Sequence, residues 1–271
     1  MEKLIITLAP TGNVPTKEIN PNTPITVEEI VADVKKCQKL GVSLVHLHVR
    51  DENGNPTCDR EIYKKLLEQI KKENIDVITQ VSTGARGGKS DAEWRGQMLD
   101  LDTEMASLST GSSNFATSMN SNSPQLIKEL ADKMKSNGIK PEIEVFDSAM
   151  IANAIRLEKK GILDGPLHFD LVMNVPGSLP GTLKNLLFLI ESLPPKSTFS
   201  VSGIGSSQVE MLTASILMGG HVRTGMEDVV KMKDGSMASN YLLVEQVVKI
   251  ANALGREIAT KEEAKEILGV S

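Results

Sequence analysis

The sequence predicts an α/β fold, a single (β/α)8 barrel of the TIM type that occupies residues 1–271 as one catalytic domain. Three observations predict it. Apolar segments rich in β-branched residues alternate eight times with segments of helical periodicity. No long linker rich in proline, glycine or serine interrupts them, and 271 residues is about the length of one such barrel. This strict alternation favours a closed parallel barrel, because each helix returns the chain to the start of the next parallel strand.

Eight strands are predicted where short apolar runs with β-branched residues end at turn-forming residues. They span residues 4–8, 44–49, 77–82, 105–109, 143–146, 167–173, 199–202 and 221–223.

Capping signals predict where the intervening helices begin and end. Thr26 has Glu29 three residues later, which is the spacing of a capping box. Ser123 and Pro124 are an N-cap residue and a first-turn proline, and this helix is expected to end at Asn137-Gly138. Further helices are predicted over residues 182–192, over residues 241–254 and from the capping-box pair Thr260 and Glu263 onwards.

An open, doubly wound sheet is the alternative fold. Such a sheet usually has a glycine-rich turn after its first strand, with the pattern G-x-G-x-x-G. Residues 9–13 read Ala-Pro-Thr-Gly-Asn and do not match it, and no Walker phosphate loop occurs. The closed barrel is therefore the favoured prediction.

The composition indicates a globular protein and excludes several functions. Hydrophobic residues make up 40% of the chain and charged residues 24%, which is enough for a sizeable core. The net charge is −5, and no basic block stands out, so we expect no binding of nucleic acid. The first apolar run is too short for a signal peptide and no segment is long enough to span a membrane, so we expect a cytoplasmic protein. Cys37 and Cys58 fit neither a disulfide framework nor a cysteine zinc cluster.

The second predicted strand ends in His46-Leu47-His48, which holds two of the four histidines of the chain. Residues two apart on a strand lie on the same face, so both imidazoles are expected to point the same way. Two imidazoles at the end of a buried strand predict a site for a divalent metal ion. The other interpretation is a pair of hydrogen-bonded core histidines.

The eighth strand ends in His221-Val222-Arg223 and continues into a loop with Glu227 and Asp228. The active site of a barrel lies at the carboxyl ends of its strands, and strands two and eight can contribute to the same layer because both are even-numbered. Glu227 is therefore predicted as a third metal ligand, in a set that leaves one coordination position open. Alternatively, Glu227 and Asp228 only stabilise the dipole of the next helix.

Arg223 and Asp228 form a second candidate pair. A guanidinium beside a carboxylate keeps it ionised, whereas burial raises its pKa, so Asp228 is a candidate general base. A purely structural ion pair is the alternative.

Other strand ends supply candidate substrate contacts. The loop after strand three contains Ser82, Gly84 and Arg86, and its backbone amides are a candidate contact for an anion; the alternative is that this glycine-rich loop is only a tight turn. Strand four ends with Ser107 and Ser109. Of Glu142 and Glu144 on strand five, we expect that only one faces inward. Residues 203–207 lead into a helix after strand seven, which predicts either a phosphate site or a simple N-cap at Ser206 or Ser207.

Five segments, in this order and spacing, resemble the β-keto acid cleavage enzymes, whose founding type is the 3-keto-5-aminohexanoate cleavage enzyme. The segments are VHLHVRDENGNPT, VSTGARGG, EMASLSTGSSNF, PEIEVFDSAM and GGHVRTGMEDVV. The resemblance runs from about residue 4 to residue 268. The H-x-H-x-R and G-G-H-x-R-x-G-x-E-D segments are specific as a pair, whereas either alone would only be suggestive.

The resemblance implies a TIM barrel that forms a homotetramer and holds Zn²⁺ through His46, His48 and Glu227. The reaction that it implies takes a β-keto acid and acetyl-CoA to acetoacetate and a new CoA thioester. By position, Asp228 matches the catalytic base and Arg223 the arginine beside it. Further positions match residues that surround the substrate, namely Ser82, Ser107 and Glu144; the founding type has threonine at position 107.

One departure from the founding type concerns the substrate. The founding type has an acidic residue, which meets the substrate amine, at the position of Val14. Valine cannot pair with an ammonium group, so we expect that this protein does not prefer an aminated β-keto acid. Arg86 favours an acidic or otherwise polar substrate tail, although a surface salt bridge explains it equally well, and Ala85 in this glycine-rich loop indicates an altered pocket.

Two other functions are alternatives for this sequence. A zinc hydrolase of the amidohydrolase kind is also a barrel with a His-x-His motif, but it needs two further ligand histidines, for which only His168 and His221 are available. A non-catalytic relative that binds CoA or a metabolite would keep zinc only for structure. A structural zinc site normally has a fourth protein ligand, so the set of Arg223, Glu227 and Asp228 argues against it.

Overall fold

Eight parallel strands close into a barrel in the computed structural model, which describes residues 2–84 and 90–270. The strands are β1 (Ile6–Leu8), β2 (Leu44–Leu47), β3 (Ile78–Val81), β4 (Met105–Ser109), β5 (Lys140–Val145), β6 (His168–Met173), β7 (Thr198–Gly203) and β8 (His221–Thr224). Their order around the barrel is β1-β8-β7-β6-β5-β4-β3-β2. The predicted closed α/β barrel is confirmed, and the open sheet is excluded.

The helices of the described residues are α1 (Val27–Gln38), α2 (Arg60–Lys72), α3 (Ala92–Arg95), α4 (Pro124–Ser136), α5 (Ser148–Lys159), α6 (Leu183–Glu191), α7 (Gln208–Leu217), α8 (Asn240–Ala253) and α9 (Lys261–Leu268). Helices α1 to α7 lie between successive strands, and α8 and α9 follow the last strand. The predicted capping boxes of α1 and α9 are both present, because the Thr26 and Thr260 hydroxyls accept from the backbone N–H three residues later. In residues 2–84 and 90–270, no helix combines the length and the apolar character needed to cross a bilayer.

The second strand is shorter than predicted. It ends at Leu47, and Val49–Arg50 instead pairs antiparallel with Pro56–Thr57 in a small hairpin above the barrel. The Arg50 guanidinium stabilises this hairpin by donating to the backbone carbonyls of Gly12, Pro15 and Gly54. The chain therefore leaves the barrel at His48, which places this residue at the mouth.

The barrel interior is apolar at its amino end and polar above it. Ile5, Leu44, Ile78 and Met105 pack against α9 residues and close the bottom. Above them the buried inward-facing side chains are mostly polar; they include His46, Gln80, Ser107, Glu142, His168, Asp170, Ser202 and Arg223. Burying so many polar groups is unfavourable unless they bind one another or a ligand, so this half of the barrel indicates a functional site.

Candidate metal and active site

His46 and His48 point to the same place at the mouth of the barrel. Their Nε2 atoms are 3.2 Å apart, and their rings meet edge to face with centroids 5.0 Å apart. His46 is fully buried and His48 is nearly so. His46 is the penultimate residue of β2, and His48 directly follows the end of the strand at Leu47. The period-two rule therefore brings both imidazoles to one side, as predicted.

Glu227 meets the two imidazoles from the loop after β8. Its Oε1 atom lies 3.4 Å from His48 Nε2 and its Oε2 atom 3.8 Å from His46 Nε2. One donor atom from each of the three residues falls within 4.8 Å of the others. In the described part of the chain, no other cluster of three histidine, cysteine or acidic side chains has this geometry.

The loop after β1 positions the Glu227 side chain. The Glu227 N–H donates to Ala9 O over 3.1 Å, and its side chain lies on Gly12. A Cβ atom at position 12 would come within 2.5 Å of Glu227 Cγ, and Gly12 has a φ of +65°. Position 12 therefore requires glycine for two reasons: its left-handed backbone conformation and the close approach of the Glu227 side chain.

The three donors fit a divalent cation. Glu227 Oε2 is buried and finds no hydrogen-bond partner among the described residues, so one carboxylate oxygen remains available for a ligand bond. Burial, together with the nearby Arg223 charge, lowers the pKa of His46 to about 4, which keeps its imidazole in the neutral form that binds metals. Burial opposes ionisation of Glu227, but Arg223 and the two histidines outweigh it and hold its pKa well below the usual value.

Gln80 is a functional candidate that the sequence reasoning missed. It lies on β3 directly opposite His46 and is fully buried. Its Oε1 atom accepts a hydrogen bond from His46 Nδ1, which leaves Nε2 as the nitrogen with the free lone pair facing Glu227. The signal available from the sequence was the position of Gln80, two residues before Ser82 on the same face of a buried strand.

Arg223 lies between the metal-site cluster and a group of carboxylates. It holds Asp228 through two hydrogen bonds, Nη2 to Oδ1 over 2.9 Å and Nε to Oδ2 over 3.2 Å. Nη2 also lies 2.8 Å from Glu227 Oε1, and Nη1 lies 3.5 Å from Glu144 and 3.6 Å from Asp170. One guanidinium thus faces four carboxyl groups, an excess of potential negative charge that a divalent cation would relieve.

The Asp228 carboxyl has the protonation behaviour of a base that works near neutral pH. Burial raises its pKa to about 7, with Glu227 adding to the rise and Arg223 opposing it. Burial also raises the pKa of Glu144 and, to a greater extent, that of Asp170. These carboxyls therefore differ in ionisation although they share one guanidinium, which is typical of sites that move protons.

A cavity of about 410 Å³ opens above this cluster. Besides His48 and Glu227, six of the residues predicted from the sequence line it: Val14, Ser82, Gly84, Glu144, Arg223 and Asp228. Ser107 is not among the residues that line it. Ser107 is buried one layer lower, where its Oγ accepts from the Thr83 N–H over 3.3 Å. Ala85 and Arg86 lie outside the described residues.

Two expectations are corrected by the structure. Glu142 and Glu144 both face the barrel interior, since residues two apart share a face; Glu142 lies 3.0 Å from His168, and Glu144 faces Arg223. Neither Ser206 nor Ser207 caps α7 with its side chain. The Ser207 hydroxyl instead donates to Ile204 O over 3.1 Å.

The two remaining histidines are not metal-site residues. His168 begins β6, where Nδ1 lies 2.8 Å from Thr198 Oγ1, and Nε2 faces Glu142. His221 begins β8 and accepts the Ile5 N–H at Nδ1. Both lie near the amino ends of their strands, away from the mouth, so the ligand set that an amidohydrolase needs is not assembled here.

Comparison with known proteins identifies the family. The profile of the β-keto acid cleavage enzymes matches residues 3–270. The chain is 48% identical to the 3-keto-5-aminohexanoate cleavage enzyme of Acetoanaerobium sticklandii over the whole length of both. It is 42% identical to the 3-oxoadipate:acetyl-CoA acetyltransferase of Cupriavidus necator, over 98% of this chain and 94% of that protein.

The fold has a structural counterpart as well. The apo structure of ObcA superposes with a TM-score of 0.82 at 21% identity, and the match covers 92% of this chain and 66% of ObcA. Together with the profile match over almost every residue, these similarities establish that the chain belongs to the β-keto acid cleavage enzyme family.

Proposed function

We propose that this enzyme is zinc-dependent and converts a β-keto acid and acetyl-CoA into acetoacetate and a new acyl-CoA. The observation that carries the proposal is the convergence of His46, His48 and Glu227 beside the Arg223–Asp228 pair. Relatives named for acetyl-CoA transfer, such as the 3-oxoadipate:acetyl-CoA acetyltransferase, support acetyl-CoA as the co-substrate.

His46, His48 and Glu227 would hold the metal ion. Two neutral imidazoles and one carboxylate are a donor set that Zn²⁺ favours in catalytic sites, and the set leaves a position for a small ligand. When bound, the ion supplies a Lewis acid for the keto and carboxylate oxygens of the substrate. Nickel, cobalt or manganese could occupy the same ligands.

Asp228 would act as the general base. It takes a proton from the carbon between the carboxylate and the keto group, and that carbon then forms a bond to the acetyl carbon of acetyl-CoA as CoA thiolate leaves. The thiolate then attacks the keto carbon that came from the β-keto acid, and the bond between this carbon and the deprotonated carbon breaks, which releases the new acyl-CoA. Asp228 returns the proton to the other product, acetoacetate. Arg223 orients Asp228 through its paired hydrogen bonds and stabilises the negative charge that develops nearby.

Ser82, Gly84, Ser107 and Glu144 are proposed to surround the substrate. The Ser82 hydroxyl accepts the Gly84 N–H over 3.2 Å, and both residues line the cavity beside His48. Glu144 faces the cavity from the opposite wall. The assignment of Ser107 rests on the resemblance, because its hydroxyl lies a layer below. Arg86 remains a prediction.

An aminated substrate is not expected to be preferred. Val14 lines the cavity with its side chain half exposed, and valine offers no partner for an ammonium group. Position 14 therefore lacks the charge that would offset the desolvation of an amine.

The proposed reaction is tested by adding a β-keto acid with and without acetyl-CoA, and with and without a metal chelator. Acetoacetate should form only when acetyl-CoA is present, and chelation should stop it. Formation of acetoacetate without acetyl-CoA, or at an undiminished rate after removal of all metal, would contradict the proposal.

Replacing Gly12 by alanine should displace Glu227 and weaken metal binding. The added Cβ meets Glu227 Cγ at 2.5 Å, so the carboxylate must move away from the imidazoles. We expect metal affinity to fall by at least the ~10–100-fold typical of disturbed ligand positioning, measured by competition with a chromogenic chelator. Gly269→Ala is the matched control, since Gly269 has a φ of +64° with open space around it. Equal metal affinity in the two variants would refute the role given to Gly12.

Replacing Gln80 by leucine should weaken metal binding without unfolding the barrel. The change keeps the side-chain volume and removes the acceptor of His46 Nδ1, so the imidazole loses its fixed orientation. Metal affinity should fall about 10–100-fold. Gln208→Leu is the control, because Gln208 is equally buried but lies on α7. If both variants bind metal like the parent protein, Gln80 does not support the site.

The resemblance also supports a homotetramer, whereas the composition supports the cytoplasmic location and the strand–helix alternation the single catalytic domain. Leu183, Leu187 and Phe188 on α6 are 62%, 43% and 53% exposed, an apolar face that self-association would cover. Sedimentation equilibrium of the purified protein tests the tetramer: a monomeric mass would contradict it.

A further inference from the structure

The lining of the cavity above the candidate metal site changes from charged to apolar within two residues along the strands. Glu144 and Asp170 are directly opposite each other on β5 and β6, and both face Arg223. We call Glu144, Asp170 and Arg223 the polar layer. Glu144 and Arg223 of this layer line the cavity together with His48 and Glu227, whereas Asp170 is fully buried and does not line it.

Four apolar side chains lie above the polar layer. Phe146 and Val172 follow Glu144 and Asp170 by two residues, so they face the same way about 6–7 Å nearer the mouth. Phe115 from the loop after β4 meets Phe146 edge to face at 5.4 Å, and Val175 follows β6. We call Phe115, Phe146, Val172 and Val175 the apolar rim. Its members lie on or just after three adjacent strands, β4, β5 and β6, so they share one side of the cavity.

The charged side chains that line the cavity in the described part of the chain are those of the candidate metal and active site. In residues 2–84 and 90–270, the acidic and basic side chains that line it are Glu144, Arg223, Glu227 and Asp228, together with the His48 imidazole. Facing the apolar rim from the β1 side are Val14 and Ile19, which are 52% and 45% exposed. The outer part of the cavity therefore offers aliphatic and aromatic surface on two sides.

This division fixes how a β-keto acid would lie. Its carboxylate and keto oxygens need the cationic groups at the base, so the chain beyond the keto carbon must point towards the mouth, where the apolar rim lies. Among residues 2–84 and 90–270, the apolar rim offers no partner to a charge on that chain, which would lose its hydration there, whereas methylene groups would gain from burial.

We propose that the preferred substrates are β-keto acids with an uncharged aliphatic chain, and that the apolar rim binds this chain. The inference rests on the proposed function and adds the substrate class to it. The apolar rim would determine which substrate chains bind well, in addition to the lack of an acidic partner for an amine at position 14.

The test compares three acids with acetyl-CoA and measures acetoacetate formation: 3-oxohexanoate, 3-oxoadipate and 3-keto-5-aminohexanoate. 3-Oxohexanoate, whose chain beyond the keto carbon is uncharged, should have a kcat/KM at least ~100-fold above those of the two acids with a charged chain. Along the series 3-oxopentanoate, 3-oxohexanoate and 3-oxoheptanoate, each methylene should raise kcat/KM up to about fourfold. The 3-oxoadipate arm also tests the acidic tail expected from Arg86.

A pair of isosteric variants tests whether the apolar rim causes the dependence of kcat/KM on chain length. Val172→Thr places a hydroxyl in the rim and should flatten the dependence on chain length. Val201→Thr places the same hydroxyl on the outer side of β7, in the core between the barrel and its helices, and should leave that dependence unchanged.

The outcomes separate the two proposals. The proposed substrate class would be wrong if 3-oxoadipate or 3-keto-5-aminohexanoate reacted as fast as 3-oxohexanoate or faster. The proposed β-keto acid cleavage would still hold in that case. A chain-length dependence that persists in Val172→Thr would overturn the role of the rim. Failure of every acid to react with acetyl-CoA would overturn the proposed function itself, and this inference with it.

Discussion

Asp228→Asn should lower kcat/KM by ~100- to 10,000-fold, the range expected when a positioned general base is lost. Asparagine keeps the shape of the side chain and one hydrogen bond to Arg223, but it cannot accept the substrate proton at a useful rate. The protein should remain folded and keep its metal, since the three candidate ligands are untouched. The measurement is steady-state acetoacetate formation alongside metal content and thermal unfolding.

Asp59→Asn is a suitable control for this prediction. Asp59 is the N-cap of α2 and accepts from the Glu61 and Ile62 N–H groups, a role that asparagine fills equally well. The control should keep parental activity. Retention of more than about a tenth of the parental kcat/KM by Asp228→Asn would exclude Asp228 as the base.

The double variant His46→Ala and His48→Ala should lose the metal ion and with it all measurable acetoacetate formation. Glu227 alone cannot hold a transition-metal ion tightly, and the loss should exceed the ~10–100-fold effect of a supporting residue such as Gln80. Metal content and activity are measured on the same preparation.

His221→Asn provides the matching control in the same barrel. His221 is buried and accepts the Ile5 N–H at Nδ1, an interaction that the asparagine oxygen can replace. This variant should bind metal like the parent. Full metal content in the double histidine variant would show that the ion, if any, is held elsewhere.

The sequence was sufficient to predict the barrel and the main cluster, because both follow from short-range periodicity. Alternation of strands and helices determines the parallel barrel, and the period of two brings His46 and His48 to one side. The even-numbered strands β2 and β8 then bring Glu227 within reach. The Arg223–Asp228 contact follows from their separation by one tight loop.

What could not be predicted depends on contacts between strands and on loop paths. Gln80 acts through its register opposite His46, which only the assembled barrel defines. The length of β2 depends on the hairpin that Arg50 stabilises with carbonyls from two loops. The error over Glu142 and Glu144 was different in kind: the period-two rule already required both to face inward. The rim was missed because Phe115 and Val175 come from loops.

The central claim is that two imidazoles and a distant carboxylate hold one divalent metal ion at the mouth of the barrel. Elemental analysis of the protein, purified without added metal or chelator, tests it most directly. We expect about one divalent transition-metal ion per chain, which is reduced to background in the double variant His46→Ala and His48→Ala. Protein that is active in acetoacetate formation and contains no such ion would contradict the account.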